Sequence, residues 1–536
     1  MMANLIFNFS VNSQGGGSPP GVDGDAPYQT STSRGVGGQS VTFSSAIEHG
    51  VYGNGFDNNM WMKPGTIAAY TPGFAASGYW GGQGNGAMKN VGWLKAWGDN
   101  DSELQGWVGR NPSAAGTNSP GSQAIGYAES QRDGVPITMQ PGDCLVIAKS
   151  RTTQFFNGAT PKNYSPERFL FVHCVADRPY ADSFAPPYVW PDGDRANLPH
   201  YRYSDIDLSQ LPRVGTSGFL NPRPAAASLV PSSDGLPALR ILDVIPYTYR
   251  NNLTQTDGGP ETWTNLWGGN FQPLLDRIYA YICSDASNAD KAAPLKYVLQ
   301  RAIDTYGIVA NAKSIGQTPY NSDGGWNVGR LGGICIGGHL LGDATMRDFL
   351  KNNYEPNRIT FPEYVGDYHM RGDLTPGIID ATQVGGWDGH GAGSNNIPYV
   401  DVMGQAPAVP EWAMRMNGSG LVPSQINNIW DNAPNAYRNT GQANATSGEA
   451  AALELMGLRG AWGHDAWLNY QARYHAMLHY GDDPWRYVNG NPTPRYAYMV
   501  GAPTGTSNPA NFQREIYDKA VFDGFTYPAG VNAFNP

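Results

Sequence analysis

The chain has 536 residues, which exceeds one ordinary domain, and its composition excludes several classes of protein. A prior of about 150 residues per domain suggests two to four units. Charged residues make up only 15%, whereas Gly 68, Pro 41, Tyr 30 and Trp 15 are numerous, which favours loop-rich β structure with aromatic surfaces. The net charge of −10 argues against nucleic acid as a partner, because phosphate contacts need concentrated Lys and Arg.

The sequence also bears on membranes and export. No run approaches the roughly 18 apolar residues of a membrane span, so we expect no membrane insertion. Residues 1–17 lack a basic region followed by an apolar core, so no export signal is recognisable. We therefore expect an extracellular or virion-associated protein that has lost its signal or leaves the cell by lysis.

Residues 1–180 carry the pattern of an antiparallel β-sandwich. Short alternating segments at 5–10, 143–148 and 169–175 are separated by clusters of Gly, Pro, Asn and Ser. Cys144 and Cys174 lie in two of these segments and could form a disulfide, but buried thiols fit the pattern equally well. The four cysteines show no metal-ligand spacing, and we expect no metal site among them.

Residues 181–260 are dense in proline and predict an ordered linker that wraps over a surface. Proline at this density excludes long helices and central strands. Two D-x-D pairs, Asp23 with Asp25 and Asp192 with Asp194, could hold a structural calcium ion. No cofactor is expected to be required.

Residues 261–489 change to helical spacing. Apolar positions recur with the helical period in 271–283, 295–308 and 465–480. Helices joined by long polar loops, without alternating strands, predict an (α/α) toroid-like domain. Residues 490–536 are rich in Pro and Asn and predict an irregular tail with one short helix at 512–521. The predicted fold class is thus multidomain β plus α.

The most conspicuous candidate site lies in 306–346, where a polar, glycine-rich turn meets an apolar stretch of small residues. Asp323, Trp326, Asn327 and Arg330 supply charge, a stacking face and hydrogen bonds. Five glycines follow in 331–342, and each costs about 1 kcal/mol in a helix relative to alanine. Any helix there must therefore pack very closely on a neighbour. The alternative is a tight turn between helices with no chemistry.

Several motifs occur along the chain in a fixed order. They are Val51-Tyr52-Gly53 with Trp61, Thr138-Met139-Gln140-Pro141-Gly142-Asp143, Phe184-Ala185-Pro186-Pro187-Tyr188, Ile303-Asp304-Thr305-Tyr306-Gly307-Ile308, Asp323-Gly324-Gly325, Gly329-Arg330, Pro410-Glu411-Trp412 with Arg415, Tyr437-Arg438, and Trp462-Gly463-His464-Asp465-Ala466 with Tyr470 and Arg473. This order resembles large, mostly uncharacterised bacterial proteins in which a β-sandwich precedes an (α/α) domain similar to polysaccharide lyases. The resemblance implies cleavage of an extracellular polysaccharide by β-elimination at a uronate. The family pattern has histidine where this chain has Trp326, so a catalytic histidine must come from elsewhere.

A uronate lyase needs a base for the C5 proton, a group that neutralises the carboxylate and an acid for the leaving oxygen. Residue types that fill these roles are dense between positions 363 and 438. The candidate catalytic residues are His390, Tyr399 and Tyr437, and the candidate substrate-binding residues are Trp326, Asn327, Arg330, Trp387, Trp412, Arg415 and Arg438. His390 lies in a glycine-rich loop, and a solvated surface histidine is the alternative.

Two other functions fit the sequence. Glycoside hydrolysis needs two carboxylates facing one bond, and Asp323 and Glu411 each stand near a Trp and an Arg. Those arginines could instead form structural salt bridges to the carboxylates. A non-catalytic glycan-binding virion or surface protein, such as a phage tail or fibre component, fits the Gly- and Asn-rich β region. The expected partner is a polysaccharide, with homo-oligomeric or virion contacts in addition.

Overall fold

The computed structural model describes the chain in separate ranges. They are residues 23–36, 38–53, 59–71, 86–90, 134–150, 155–157, 160–162, 166–219, 221–230, 272–314, 331–353, 377–379, 397–399, 446–463, 468, 471 and 512–522. Strands dominate the first part of these ranges and helices the second. The protein is therefore of mixed β plus α class, as the sequence predicts.

Eight strands in the described ranges form one sheet. They are β1 (Tyr28–Val36), β2 (Gln39–Val51), β3 (Asn59–Met62), β4 (Gly65–Thr71), β5 (Gly86–Lys89), β6 (Ile137–Met139), β7 (Cys144–Ser150) and β10 (Pro166–Cys174). The order is β5-β7-β10-β3-β2-β4-β6, and β1 pairs with β2. Two further antiparallel pairs are β8 (Phe155–Asn157) with β9 (Thr160–Lys162) and β11 (Gly377–Ile379) with β12 (Ile397–Tyr399).

The sheet is mixed rather than wholly antiparallel. Strand β10 runs parallel to β3, with Phe171 opposite Asn59 and Cys174 opposite Met62. The other pairs are antiparallel. The purely antiparallel arrangement predicted from the sequence is therefore wrong at this pair, because two strands far apart in the chain need no tight turn to lie side by side.

The two faces of the sheet bury different side chains, and this separates two of the cysteines. Cys144 packs with Val146 and Phe171 in the core that includes the helices. Cys174 packs with Leu145 in a second core on the sheet. Because alternate residues of a strand point to opposite faces, these two thiols cannot meet, and all four cysteines are buried and form no disulfide. Burial raises the pKa of Cys174 to about 12. The alternative of buried thiols is confirmed.

The described part of the proline-rich segment, residues 181–219 and 221–230, contributes side chains to the core. It contains short 3-10 turns at Asp192–Asn197, Tyr203–Asp205 and Leu208–Gln210, followed by helix α1 (Ala226–Leu229). Tyr188 is fully buried, and its ring lies 4.9 Å from that of Phe171 on the sheet. Apolar side chains without a regular period thus join the sheet to the helical part of the chain.

Apart from the paired strands β11 and β12, helices fill the later described ranges. They are α2 (Gln272–Cys283), α3 (Asn288–Ser314), α4 (Gly332–Leu340), α5 (Ala344–Arg347), α6 (Phe349–Asn353), α7 (Ser447–Leu455), α8 (Arg459–Trp462) and α9 (Phe512–Phe522). Helix α7 packs against α2, α4 and α9, and α4 packs against α3. Within the parts of the chain that the structure describes, no helix combines the length and apolar character needed to cross a membrane.

Helix α3 is clamped to the proline-rich segment. The side-chain amide of Gln300 accepts a hydrogen bond from the Ala185 N–H at 3.0 Å and donates one to the Ala185 carbonyl at 3.1 Å. Two turns further on, a Cβ at Gly307 would lie 2.2 Å from the carbonyl oxygen of Val189. Only glycine permits this approach, so α3 sits directly on the segment that covers the sheet.

Helix α4 packs as closely as its glycines predict. A Cβ at Gly337 would lie 2.8 Å from the Cβ of Ala302 on α3, and one at Gly338 would lie 2.2 Å from the backbone nitrogen of Arg347 on α5. The prediction that a helix here needs a close neighbour is confirmed. The helical turn then ends at Gly342, whose φ of +69° is in the left-handed region.

Candidate functional site

The structure describes the scaffold around the predicted site residues rather than those residues themselves. Tyr399 ends β12, where its backbone lies opposite Gly377. The other predicted residues lie outside the described ranges; they are Asp323, Trp326, Asn327, Arg330, Trp387, His390, Glu411, Trp412, Arg415, Tyr437 and Arg438. All of them fall in two stretches of sequence, 315–330 and 354–445, which we call the first and second segments.

The two segments leave the helical scaffold side by side. The first segment follows Ser314 at the end of α3, and the second follows Asn353 at the end of α6. The ammonium group of Lys313 donates a hydrogen bond of 2.8 Å to the backbone carbonyl of Asn353. This contact ties the two starting points together.

The two segments also return to the scaffold side by side. The first segment ends where α4 begins at Gly332, and the second ends where α7 begins at Ser447. The carboxyl group of Glu449, in the first turn of α7, accepts a hydrogen bond from the backbone N–H of Gly332. A Cβ at Gly332 would lie 2.3 Å from Glu449 Oε1, so the contact requires glycine.

A second buried carboxyl group supports this junction. Asp276 on α2 accepts hydrogen bonds at its Oδ1 from the backbone N–H groups of Gly448 at 2.6 Å and Glu449 at 3.0 Å. Asp276 therefore caps the start of α7, and Glu449 in turn caps the start of α4. A Cβ at Gly448 would lie 2.1 Å from the Asp276 carbonyl oxygen, so α7 and α2 are also in tight contact.

Burial dominates the electrostatics of this acid pair. Asp276 is 0% exposed and Glu449 is 1% exposed. Desolvation raises the pKa of Asp276 well above its ordinary value, and the nearby Glu449 raises it further, whereas the backbone N–H bonds lower it. Desolvation also raises the pKa of Glu449 to about 8, against the smaller opposing effect of the Gly332 N–H. Glu449 is therefore mainly a neutral acid at pH 7.

The acid pair was not among the residues predicted from the sequence. One signal was available, because Asp276 lies between the apolar residues Leu275 and Ile278 on the buried side of α2. A carboxylate on an apolar stripe needs a partner from another element. Glu449 gave a weaker signal, since an acid in the first turn of a helix is ordinary at a solvated helix start.

A serine and a histidine on the sheet are close together but do not form a nucleophile. Ser31 Oγ lies 2.9 Å from His49 Nε2 and donates its own hydrogen to the Ser33 carbonyl at 2.7 Å. His49 Nδ1 has no partner within the described residues, so no carboxylate orients the ring there. Burial, and then Arg34, lower the pKa of His49. A base that activates Ser31 is therefore not assembled here.

Three carboxylates of the D-x-D pairs accept hydrogen bonds from neighbouring parts of the fold. Asp23 accepts hydrogen bonds from Lys63 Nζ at 2.8 Å and the Arg178 N–H at 2.7 Å, and Asp25 accepts one from the Ala181 N–H at 2.9 Å. Asp194 accepts one from the Asn197 amide at 2.6 Å. Among the described residues, no group of three or more His, Cys, Asp or Glu is arranged to hold a metal ion. Structural calcium stays a prediction.

Comparisons with known proteins add no relative. Neither family models nor curated proteins nor solved structures give a match to this chain. The fold and the junction of the two segments define a mixed β plus α protein with a buried acid pair. The function therefore has to be argued from the sequence and this geometry.

Proposed function

We propose that this protein is a carbohydrate-active enzyme that degrades an extracellular polysaccharide by β-elimination at a uronate. The first and second segments form the site on a helical domain of (α/α) toroid type, and the sheet supports that domain as a sandwich-like unit. The observation that carries the proposal is the pairing of the segment ends. Lys313 meets Asn353 where the segments begin, and Glu449 meets Gly332 where they end.

This pairing matters because the candidate residues are otherwise far apart in sequence. The first segment carries Asp323, Trp326 and Arg330, and the second carries His390 and Tyr437. Because the ends of the two segments are anchored at neighbouring points of the scaffold, we infer that their residues contribute to one site. Loops held at both ends by a rigid scaffold are also where binding and catalytic residues concentrate.

The residue types match the chemistry of elimination. His390 or Tyr399 removes the C5 proton, and Tyr437 donates a proton to the leaving oxygen. Arg415 and Arg438 neutralise the uronate carboxylate through charge-assisted hydrogen bonds. The tryptophans Trp326, Trp387 and Trp412 offer flat apolar faces for sugar rings.

The test is incubation of the purified chain with uronate-containing and neutral polysaccharides, with two readouts. One is the ultraviolet absorbance of an unsaturated uronate, and the other is the formation of reducing ends. Both signals are expected on a uronate polymer. Reducing ends alone would mean hydrolysis by Asp323 and Glu411, and binding without either signal would mean a glycan-binding structural protein. Each of these two results overturns the lyase proposal.

Matched variants assign the signals to the site. His390→Ala and Tyr437→Phe should lower the rate of elimination by at least about a hundredfold, as expected for removal of a general base or acid. Lys519→Ala, at an exposed position on α9, is the control and should keep the wild-type rate. Equal rates of elimination in all three variants would mean that His390 and Tyr437 take no part in the mechanism.

A further inference from the structure

The acid pair contains two buried oxygen atoms that have no partner among the described residues. Asp276 Oδ2 and Glu449 Oε1 make no hydrogen bond there, although the other oxygens of the pair cap two helices. An ionised carboxylate in such a place loses its hydration without replacement. A neutral carboxyl group loses far less, so this geometry suits a pair that holds a proton.

We propose that Asp276 and Glu449 form a proton-dependent latch, which holds the start of α4 against α7 while the pair keeps its proton and releases it when the proton is lost. This inference does not rest on the proposed enzymatic activity. The contact at stake is the hydrogen bond between Gly332 and Glu449. A Cβ at Gly332 would lie 2.3 Å from Glu449 Oε1, so the start of α4 rests directly on this side chain.

The release follows from like charges at close quarters. Asp276 Oδ1 binds the backbone N–H of Glu449 itself, so the two acids belong to adjoining layers of one junction. Two ionised carboxylates in a water-excluded site repel each other, and the junction can lower that cost only by admitting water. We take the start of α4 as the movable side, because Glu449 accepts one backbone N–H from it, whereas Asp276 accepts two from α7.

Other charged groups near the junction either form ion pairs of their own or only partly offset the raised pKa of Asp276. On α2, Arg277 lowers the pKa of Asp276, but less than burial raises it. On α9, Arg514 pairs with Asp518. On α8, Arg459 pairs with Glu454.

The remaining titratable groups include one on α4 itself. His339 is half-buried in the last turn of that helix, and burial and then Arg347 lower its pKa. On α2, the Tyr279 hydroxyl would lie 2.4 Å from a Cβ at Gly333. On α9, Glu515 accepts hydrogen bonds from Asn221, and Tyr517 is buried. Helix α3, behind α4, carries Arg301 and Asp304, both buried.

The experiment is hydrogen exchange on the full chain at pH 6, 7 and 8, read by mass spectrometry and corrected for the intrinsic pH dependence of exchange. Peptides from 331–341 report on α4, and peptides from 295–308 on α3 serve as the internal reference. One proton released on opening makes the opening equilibrium rise tenfold per pH unit. The rise levels off near the closed-state pKa of about 8, so we expect protection of α4 to fall about fiftyfold from pH 6 to pH 8, with α3 unchanged. Constant protection of α4 over this range overturns the latch.

Two variants identify the groups that carry the proton. Glu449→Gln keeps an acceptor for the Gly332 N–H but cannot ionise, so the fall in protection of α4 with pH should become much smaller than in the wild type. Glu454→Gln, the same change on the same helix at the Arg459 pair, should keep the wild-type fall. If Glu449→Gln does not fold, Asp276→Asn takes its place, and the pH dependence of its α4 protection is compared with that of the wild type. If protection of α4 falls with pH as much as in the wild type in every variant of the pair that folds, the pH dependence belongs to another group and the proposal is overturned.

Discussion

Replacing Gly307 by alanine tests how the helices are joined to the rest of the protein. The new Cβ would lie 2.2 Å from the Val189 carbonyl oxygen and 2.5 Å from Pro187 Cβ. A backbone oxygen cannot rotate away, and the Gln300 amide clamps the same segment two turns earlier on α3. The helix must therefore move out by about 1 Å to restore an ordinary contact distance.

The magnitude follows from two opposing effects. Alanine gains about 1 kcal/mol over glycine in a helix interior. Overpacking of a buried contact costs about 1–3 kcal/mol, and the upper part of this range applies because the obstacle is backbone. The free energy of unfolding should therefore fall by about 2 kcal/mol.

The assay is urea denaturation followed by circular dichroism, with a matched glycine as the control. A Cβ at Gly460 on α8 meets nothing within 4 Å, so Gly460→Ala should leave the urea midpoint unchanged or raise it. Gly307→Ala should lower the midpoint clearly. If Gly307→Ala leaves the urea midpoint unchanged or raises it, as Gly460→Ala should, then α3 does not rest on the proline-rich segment.

Three further outcomes are expected. Burial raises the pKa of Glu449 from its ordinary 4.5 to about 8, so its stabilising contribution is complete below pH 4.5 and is lost as the pH rises to 8. Urea denaturation should show a loss of about 5 kcal/mol in the wild type and a smaller loss in Glu449→Gln, where the raised pKa of Asp276 remains. Gln300→Ala leaves the Ala185 amide groups unpaired and should cost about 2 kcal/mol in the same assay. A thiol reagent should find no reactive cysteine in the folded protein and four after unfolding.

Regular helices were predictable because their apolar positions repeat locally. The period predicted a helix at 271–283, and α2 runs Gln272–Cys283. The sequence also predicted a short helix at 512–521, and α9 runs Phe512–Phe522. The close packing of α4 followed from its glycines, since glycine is costly in a helix without such a reason.

Features that depend on distant parts of the chain were not predictable. The parallel β3–β10 pair joins strands separated by more than half of the β region, and no local pattern encodes that contact. The burial of Tyr188 and Trp190 was hidden because proline-rich stretches have no hydrophobic period. The acid pair arises only where α2, α4 and α7 meet.

Several residues of the motifs on which the predicted family resemblance rests have structural roles. A Cβ at Gly53 would lie 2.1 Å from the Ala181 carbonyl oxygen, and one at Gly142 would lie 2.5 Å from that of Arg195. Phe184 and Tyr188 are core residues between the sheet and α3. These motifs therefore explain how the sheet, the proline-rich segment and the helices fit together, and the activity has to be tested on the two segments.

The measurement that tests the central claim most directly is the ultraviolet absorbance of the wild-type protein mixed with uronate polysaccharides, beside His390→Ala. The account predicts steady growth of absorbance with new reducing ends for the wild type and a large loss of both for the variant. Absence of both signals on every polymer, with the protein folded as judged by circular dichroism, would contradict it.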